Sequence, residues 1–79
     1  MANTKQTYRR MTAGTSETVT IMAYLGADSG DREEIRRIVE RDGAVVEDGI
    51  AYFGDSGRQW LDDQHAACLA AGLDDVSVR

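Results

Sequence analysis

Between Thr18 and Leu25, Val19, Ile21, Ala23 and Leu25 alternate with Thr18, Thr20, Met22 and Tyr24, the two-residue period of a half-buried strand. The β-branched run Thr18-Val19-Thr20-Ile21 favours the same reading. A helix from Ser16, as cap, to Gly26, as terminator, is the alternative. The pattern then changes. Ile35, Ile38, Val39 and Asp42 fall at i, i+3, i+4 and i+7, with Ser29 available as an N-cap and Gly43 as a left-handed terminator, which predicts a first helix from Ser29 to Gly43. Asp31, Glu33 and Glu34 place acid in its opening turns, where the helix dipole favours it.

Ala44-Val45-Val46 and Ile50-Ala51-Tyr52-Phe53 are apolar runs joined by Glu47-Asp48-Gly49. That spacing predicts a hairpin with Gly49 at positive φ. A second helix starts near Asp55 or Ser56, runs through Trp60, Leu61, Gln64, Cys68 and Ala71, and stops at Gly72; Asp74 to Val78 closes as a short strand. Trp60 is expected to pack on the core. Residues 23–30, Ala-Tyr-Leu-Gly-Ala-Asp-Ser-Gly, align with residues 51–57, Ala-Tyr-Phe-Gly-Asp-Ser-Gly, with one residue unmatched. Read as a repeat, they make two β-α-β units in tandem. The fold expected is therefore α+β, a small ferredoxin-like β-α-β-β-α-β sandwich over residues 16–79.

Charge adds an N-terminal arm. Residues 1–11 hold Lys5, Arg9 and Arg10 and no acid, a net of +3; the remaining six basic groups and all fourteen acids follow, a net of −8. Thr12-Ala13-Gly14-Thr15-Ser16 reads as a linker between them. Residues 1–15 are thus an arm or an extra strand. With 79 residues, one core is the ceiling. No apolar run has the ~18 residues of a membrane span. The first residues lack a secretory pattern and Cys68 stands alone, so a cytoplasmic setting without membrane contact is expected.

Gly54-Asp55-Ser56-Gly57 matches the tetrapeptide around the nucleophile of trypsin-like serine proteases, with His65 downstream. A triad needs a positioned base and an oxyanion hole on a larger scaffold, and Asp28-Ser29-Gly30 repeats the tripeptide at another expected helix start. Helix capping by Ser56 explains it. His65 and Cys68 share a helix face, but zinc wants four ligands and neither residue type recurs. The sequence accordingly predicts neither enzyme activity nor a metal or cofactor.

If Val19, Ile21, Ala23 and Leu25 face the core, Met22 and Tyr24 face away, and the repeat sets Tyr52 beside Tyr24 with Ile50 beyond. RNA-recognition modules of this topology stack bases there. Their Lys/Arg-Gly-aromatic signature is missing, and a body at −8 repels phosphates, so nucleic acid is the second choice as partner, held by this face and the basic arm. The alternative is that the arm covers this face. A protein partner comes first: Met22, Tyr24 and Tyr52 supply an apolar-aromatic contact, and Glu47, Asp48, Asp62 and Asp63, with Asp55, Asp74 and Asp75, an acidic one for a partner with a basic surface. The competing reading of these acids is a solubilising surface.

In size, acidity and lack of motif the chain resembles the small phage-encoded anti-CRISPR proteins, several of which are α+β domains. That resemblance implies an inhibitor binding a nucleic-acid-handling complex, its carboxylates acting as a nucleic-acid mimic where phosphates would sit. Apolar strands at the sheet edges also predict a homodimer by edge pairing.

Overall fold

The computed structural model describes residues 2–25 and 33–77. Four long antiparallel strands, β1 (Ala2–Thr12), β2 (Thr15–Leu25), β3 (Glu33–Arg41) and β4 (Ala44–Gly54), form a meander. Helix α1 (Gly57–Ala70) then crosses one face, and β5 (Asp74–Asp75) returns beside β1. The sheet order is β4-β3-β2-β1-β5.

This overturns the ferredoxin-like β-α-β-β-α-β expectation, which needs two helices, each carrying the chain from one strand to a non-neighbouring one. The helix expected from Ser29 to Gly43 is β3 from Glu33 onward; its Ser29 cap lies outside the described residues. Ile35, Ile38 and Val39 make a helical stripe, but pairing with β2 on one side and β4 on the other makes the segment a strand, with Ile35 and Val39 on the helix side and Ile38 on the opposite face. Gly43 does have positive φ, 83°, and so does Asp42, 52°, because they form the two-residue turn between β3 and β4, where both central residues must be left-handed.

The hairpin expected at Glu47-Asp48-Gly49 is likewise absent. Residues 44–54 are one strand, Gly49 pairs with Arg37, and its φ is not positive. The residues expected to link arm and body are the β1–β2 turn, with Gly14 at φ 78°. The arm is therefore paired in the plane of the sheet and does not lie over it.

Two expectations hold. Residues 18–25 are strand within β2, and α1 ends as Gly72 predicts: Gly72 (φ 89°) donates to the Leu69 carbonyl, and Leu73 donates to that of Cys68, closing a Schellman motif. At the other end, Ser56 makes no side-chain cap. Glu33 caps in its place, its Oε1 accepting from the Gly57 amide across from β3. No helix among the described residues is long and apolar enough to cross a membrane.

The core lies between α1 and the sheet. Tyr8, Ile21 and Ile35 are fully buried, joined by Val19, Ala23, Val39, Leu61, Cys68 and Leu73. Half-buried Trp60 packs against this cluster with Tyr52, ring centroids 6.1 Å apart. At the far end Glu17 accepts from Arg10 at 2.7 Å and Arg41 at 3.0 Å, while Arg10 also donates to the Ala71 carbonyl that ends α1.

The Arg41 hydrogen bond, then the charges of Arg10 and Arg41, hold the Glu17 carboxyl below its ordinary 4.5. A lowered folded value means the contribution is complete above 4.5 and is lost as pH falls through the folded value. Stability should accordingly fall on acidification below pH 4.5. Glu17→Gln should remove about 1 kcal/mol at neutral pH, the scale of a surface ion pair, and flatten part of that slope. Urea titrations of both proteins across the acid range check this; parallel slopes would assign the acid loss elsewhere.

Candidate functional site

Antiparallel partners share a face, so the registers sort every strand residue. Tyr8, Ile21, Ile35 and Tyr52 point toward α1; Lys5, Met22, Arg36 and Ile50 point away. Among the described residues one helix covers one face of the sheet, and nothing covers the second.

On that open face Met22 and Tyr24 sit in β2, as the alternation in Thr18–Leu25 predicts, and Ile50 stands across Arg36 in β4. Tyr52 does not join them. Its partner is Ile35, which places it on the helix side, where its hydroxyl accepts from the Ser56 amide at 2.8 Å. The matched segments 23–25 and 51–53 both end strands, but with opposite faces, because Ala51 is an extra residue where the β3–β4 register shifts.

Phe53 and Val45 share this face, as do Ile38 and Met11. Phe53 is 56% exposed and Ile50 62%. Sequence reasoning missed them by treating 44–54 as a hairpin; read as one strand, Val45, Asp48, Ile50 and Phe53 recur on one side wherever the bulges allow. Charges of both signs surround the patch: Lys5 and Arg9 on β1, Glu34 and Glu40 on β3. A groove of about 460 Å³ runs along it, lined by Lys5, Met22, Tyr24, Glu34 and Arg36, with Thr4 and Ala23.

The predicted acidic surface is dispersed. Glu47 pairs with Arg37 at 3.2 Å on the helix side, and Asp48 with Arg36 at 2.8 Å on the open face. The Arg36 hydrogen bond holds the Asp48 carboxyl below its ordinary value. Asp62 and Asp63 are exposed on α1, Asp63 accepting from Gln59 at 3.0 Å. These four carboxylates are split among the two sheet faces and the helix.

No family model, curated protein or solved structure matches this chain. The reading of the site therefore stands on its own geometry.

The residues that suggested catalysis or metal binding have structural contacts. Tyr8 donates its phenolic proton to Gln6 Oε1 at 3.0 Å, and its hydroxyl oxygen lies 3.0 Å from His65 Nδ1. Asp75 Oδ2 is 3.9 Å from that ring nitrogen. Cys68 is buried in the core, and burial pushes its thiol up, away from the thiolate a nucleophile or ligand needs. Ser56, at the helix start, donates its amide to Tyr52.

Proposed function

We propose that this chain is a non-catalytic protein-binding module whose partner docks on the helix-free face of the sheet. The observation that carries this reading is a single face combining exposed Met22, Ile50, Phe53 and Val45 with Lys5, Arg9, Glu34 and Glu40 around them. An apolar centre with a rim of both charges is the composition of a specific protein contact, and exposed apolar patches of this kind mark interaction sites. The complementary surface is apolar at its middle, acidic opposite Lys5 and Arg9, and basic opposite Glu34 and Glu40. Mixed signs and a net charge of −5 weigh against a phosphate backbone as ligand.

A narrower form makes the partner a basic, nucleic-acid-handling complex and this chain its inhibitor. Its support is the acidity and size that resemble the anti-CRISPR proteins, together with Asp62 and Asp63 exposed on α1.

Affinity capture with the purified chain as bait, washed at low and high salt, identifies bound proteins and nucleic acids together. A captured protein is then titrated against Met22→Glu and Tyr24→Ala. Both variants should lose more than about tenfold in affinity, or 1.4 kcal/mol, while their unfolding free energies stay within ~0.5 kcal/mol of the parent. Unchanged affinity in both variants would remove the face from the reading. Loss on Asp62→Lys with Asp63→Lys and steep weakening by salt would select the inhibitor form. Salt-sensitive retention of nucleic acid alone would move the face to the nucleic-acid class.

A further inference from the structure

We infer that two copies of this chain pair edge to edge through β4, antiparallel about a two-fold axis at Gly49. Strand β4 ends the sheet order, so among the described strands no further one pairs along its outer side. An edge of eleven residues presents a row of backbone donors and acceptors, a template on which another strand can pair in register. Proteins blunt such edges with lysine, proline or very short strands. The opposite edge has these devices: β5 is two residues long, Lys5 lies in the flanking part of β1, and the Thr7 backbone is engaged by Val76 and Ser77. β4 contains no Lys, Arg or Pro. Its two acids are held by Arg36 and Arg37 of the neighbouring strand, so they do not set one copy against another.

The strand's own sequence selects a second copy as occupant. Around Gly49, Ala44-Val45-Val46-Glu47-Asp48 is mirrored by Ile50-Ala51-Tyr52-Phe53-Gly54, with small residues at both ends and a bulky pair just inside each. An antiparallel register centred on Gly49 sets Val45 opposite Phe53 of the other copy, both on the open face. Val46 meets Tyr52 of the other copy on the helix side, and Ala44 meets Gly54. Val45, Val46 and Ile50, each more than half exposed, gain Phe53, Tyr52 and Asp48 of the other copy as cross-strand partners. The β3–β4 register shifts at two places, which coils β4 more strongly than a regular strand. A two-fold copy has the same coil and matches it, whereas a flat strand does not. The two sheets then join as one of ten strands, with both helices on the same side and both open faces continuous.

Sedimentation of the full chain over a concentration series should show a shift from 8.7 kDa toward twice that mass. Val46→Lys should suppress the shift, with its circular dichroism unchanged. The register has its own test, because a Cβ added at Gly49 meets nothing within 4 Å and two residues at the axis face each other at disulfide distance. Under mild oxidation Gly49→Cys should therefore give a covalent dimer that reductant reverses, while Val45→Cys and the parent, with Cys68 buried, should not. A monomer at every concentration, or equal cross-linking of the two cysteine variants, would overturn the inference. So would a dimer lost on Met22→Glu and retained in Val46→Lys, which would place self-association on the open face. Met22→Glu is expected to leave the dimer intact, so the docking proposal and this one fail separately.

Discussion

Tyr8→Ala should unfold most of the protein at temperatures the parent withstands. A domain of 79 residues has roughly 4–12 kcal/mol of stability in total, and truncating a fully buried aromatic side chain removes ~3–5 kcal/mol through lost transfer and the cavity left behind. Tyr8 also joins three elements: it lies in β1, pairs with Val19 and Asp75, and meets His65 of α1 ring edge to ring at 5.7 Å. The expected drop in melting temperature is at least about 12 °C. Tyr8→Phe keeps the ring and should lose only about 1 kcal/mol, the net worth of the hydroxyl's hydrogen bonds.

The same hydroxyl sets an alkaline limit. Burial, then the charges of Asp75 and Cys68, push Tyr8 up to about 12 from 10.0. A raised folded value keeps its contribution whole below pH 10.0 and removes it as pH rises through about 12. Thermal melts of parent, Phe and Ala variants across this range test both statements; an alkaline loss that persists in Tyr8→Phe would belong to another group.

Leu61→Ala should detach the helix. Of the fourteen residues of α1, only Gly57, Leu61 and Cys68 are buried, and an isolated helix of this length is marginal in water. Losing the one large aliphatic anchor should cost ~2–5 kcal/mol. Hydrogen exchange followed by NMR should find α1 amides deprotected more than those of β2 and β3. Equal loss in helix and sheet would mean that the helix and meander open together.

The parts of the fold legible in sequence are those where one period wins. β2 alternates over eight residues and is rich in β-branched side chains, which outweighs the competing helix from Ser16 to Gly26. α1 has a terminating glycine whose left-handed φ both ends the helix and turns Leu73 into the core. β3 was hidden because Ile35, Ile38 and Val39 make a helical stripe, whereas as a strand they divide between its two faces, and only the two neighbouring strands decide the outcome. Asp42-Gly43, the signature of a tight hairpin, was the available clue. β4 was hidden by Glu47-Asp48-Gly49, which reads as a turn until Arg36 and Arg37 are placed beside the acids. Half of the candidate face was therefore visible: Met22 and Tyr24 follow from β2 alone, whereas Phe53 and Val45 need the register of β4. Tyr52 went to the wrong face by one residue, the width of a bulge.

The Glu33 carboxylate that accepts from the Gly57 amide ties the start of the helix to a strand made earlier. During synthesis the four-stranded meander emerges first, with Ile21 and Ile35 uncovered on one face and Met22 and Ile50 on the other. Leu61 follows only after β1 to β4 have been made, and β5 after that. Until the helix has left the ribosome and found Glu33 in register, the nascent sheet is sticky on both sides and along β4. This order of emergence makes the interval before helix docking the point where a chaperone, or a neighbouring nascent chain, meets the protein first.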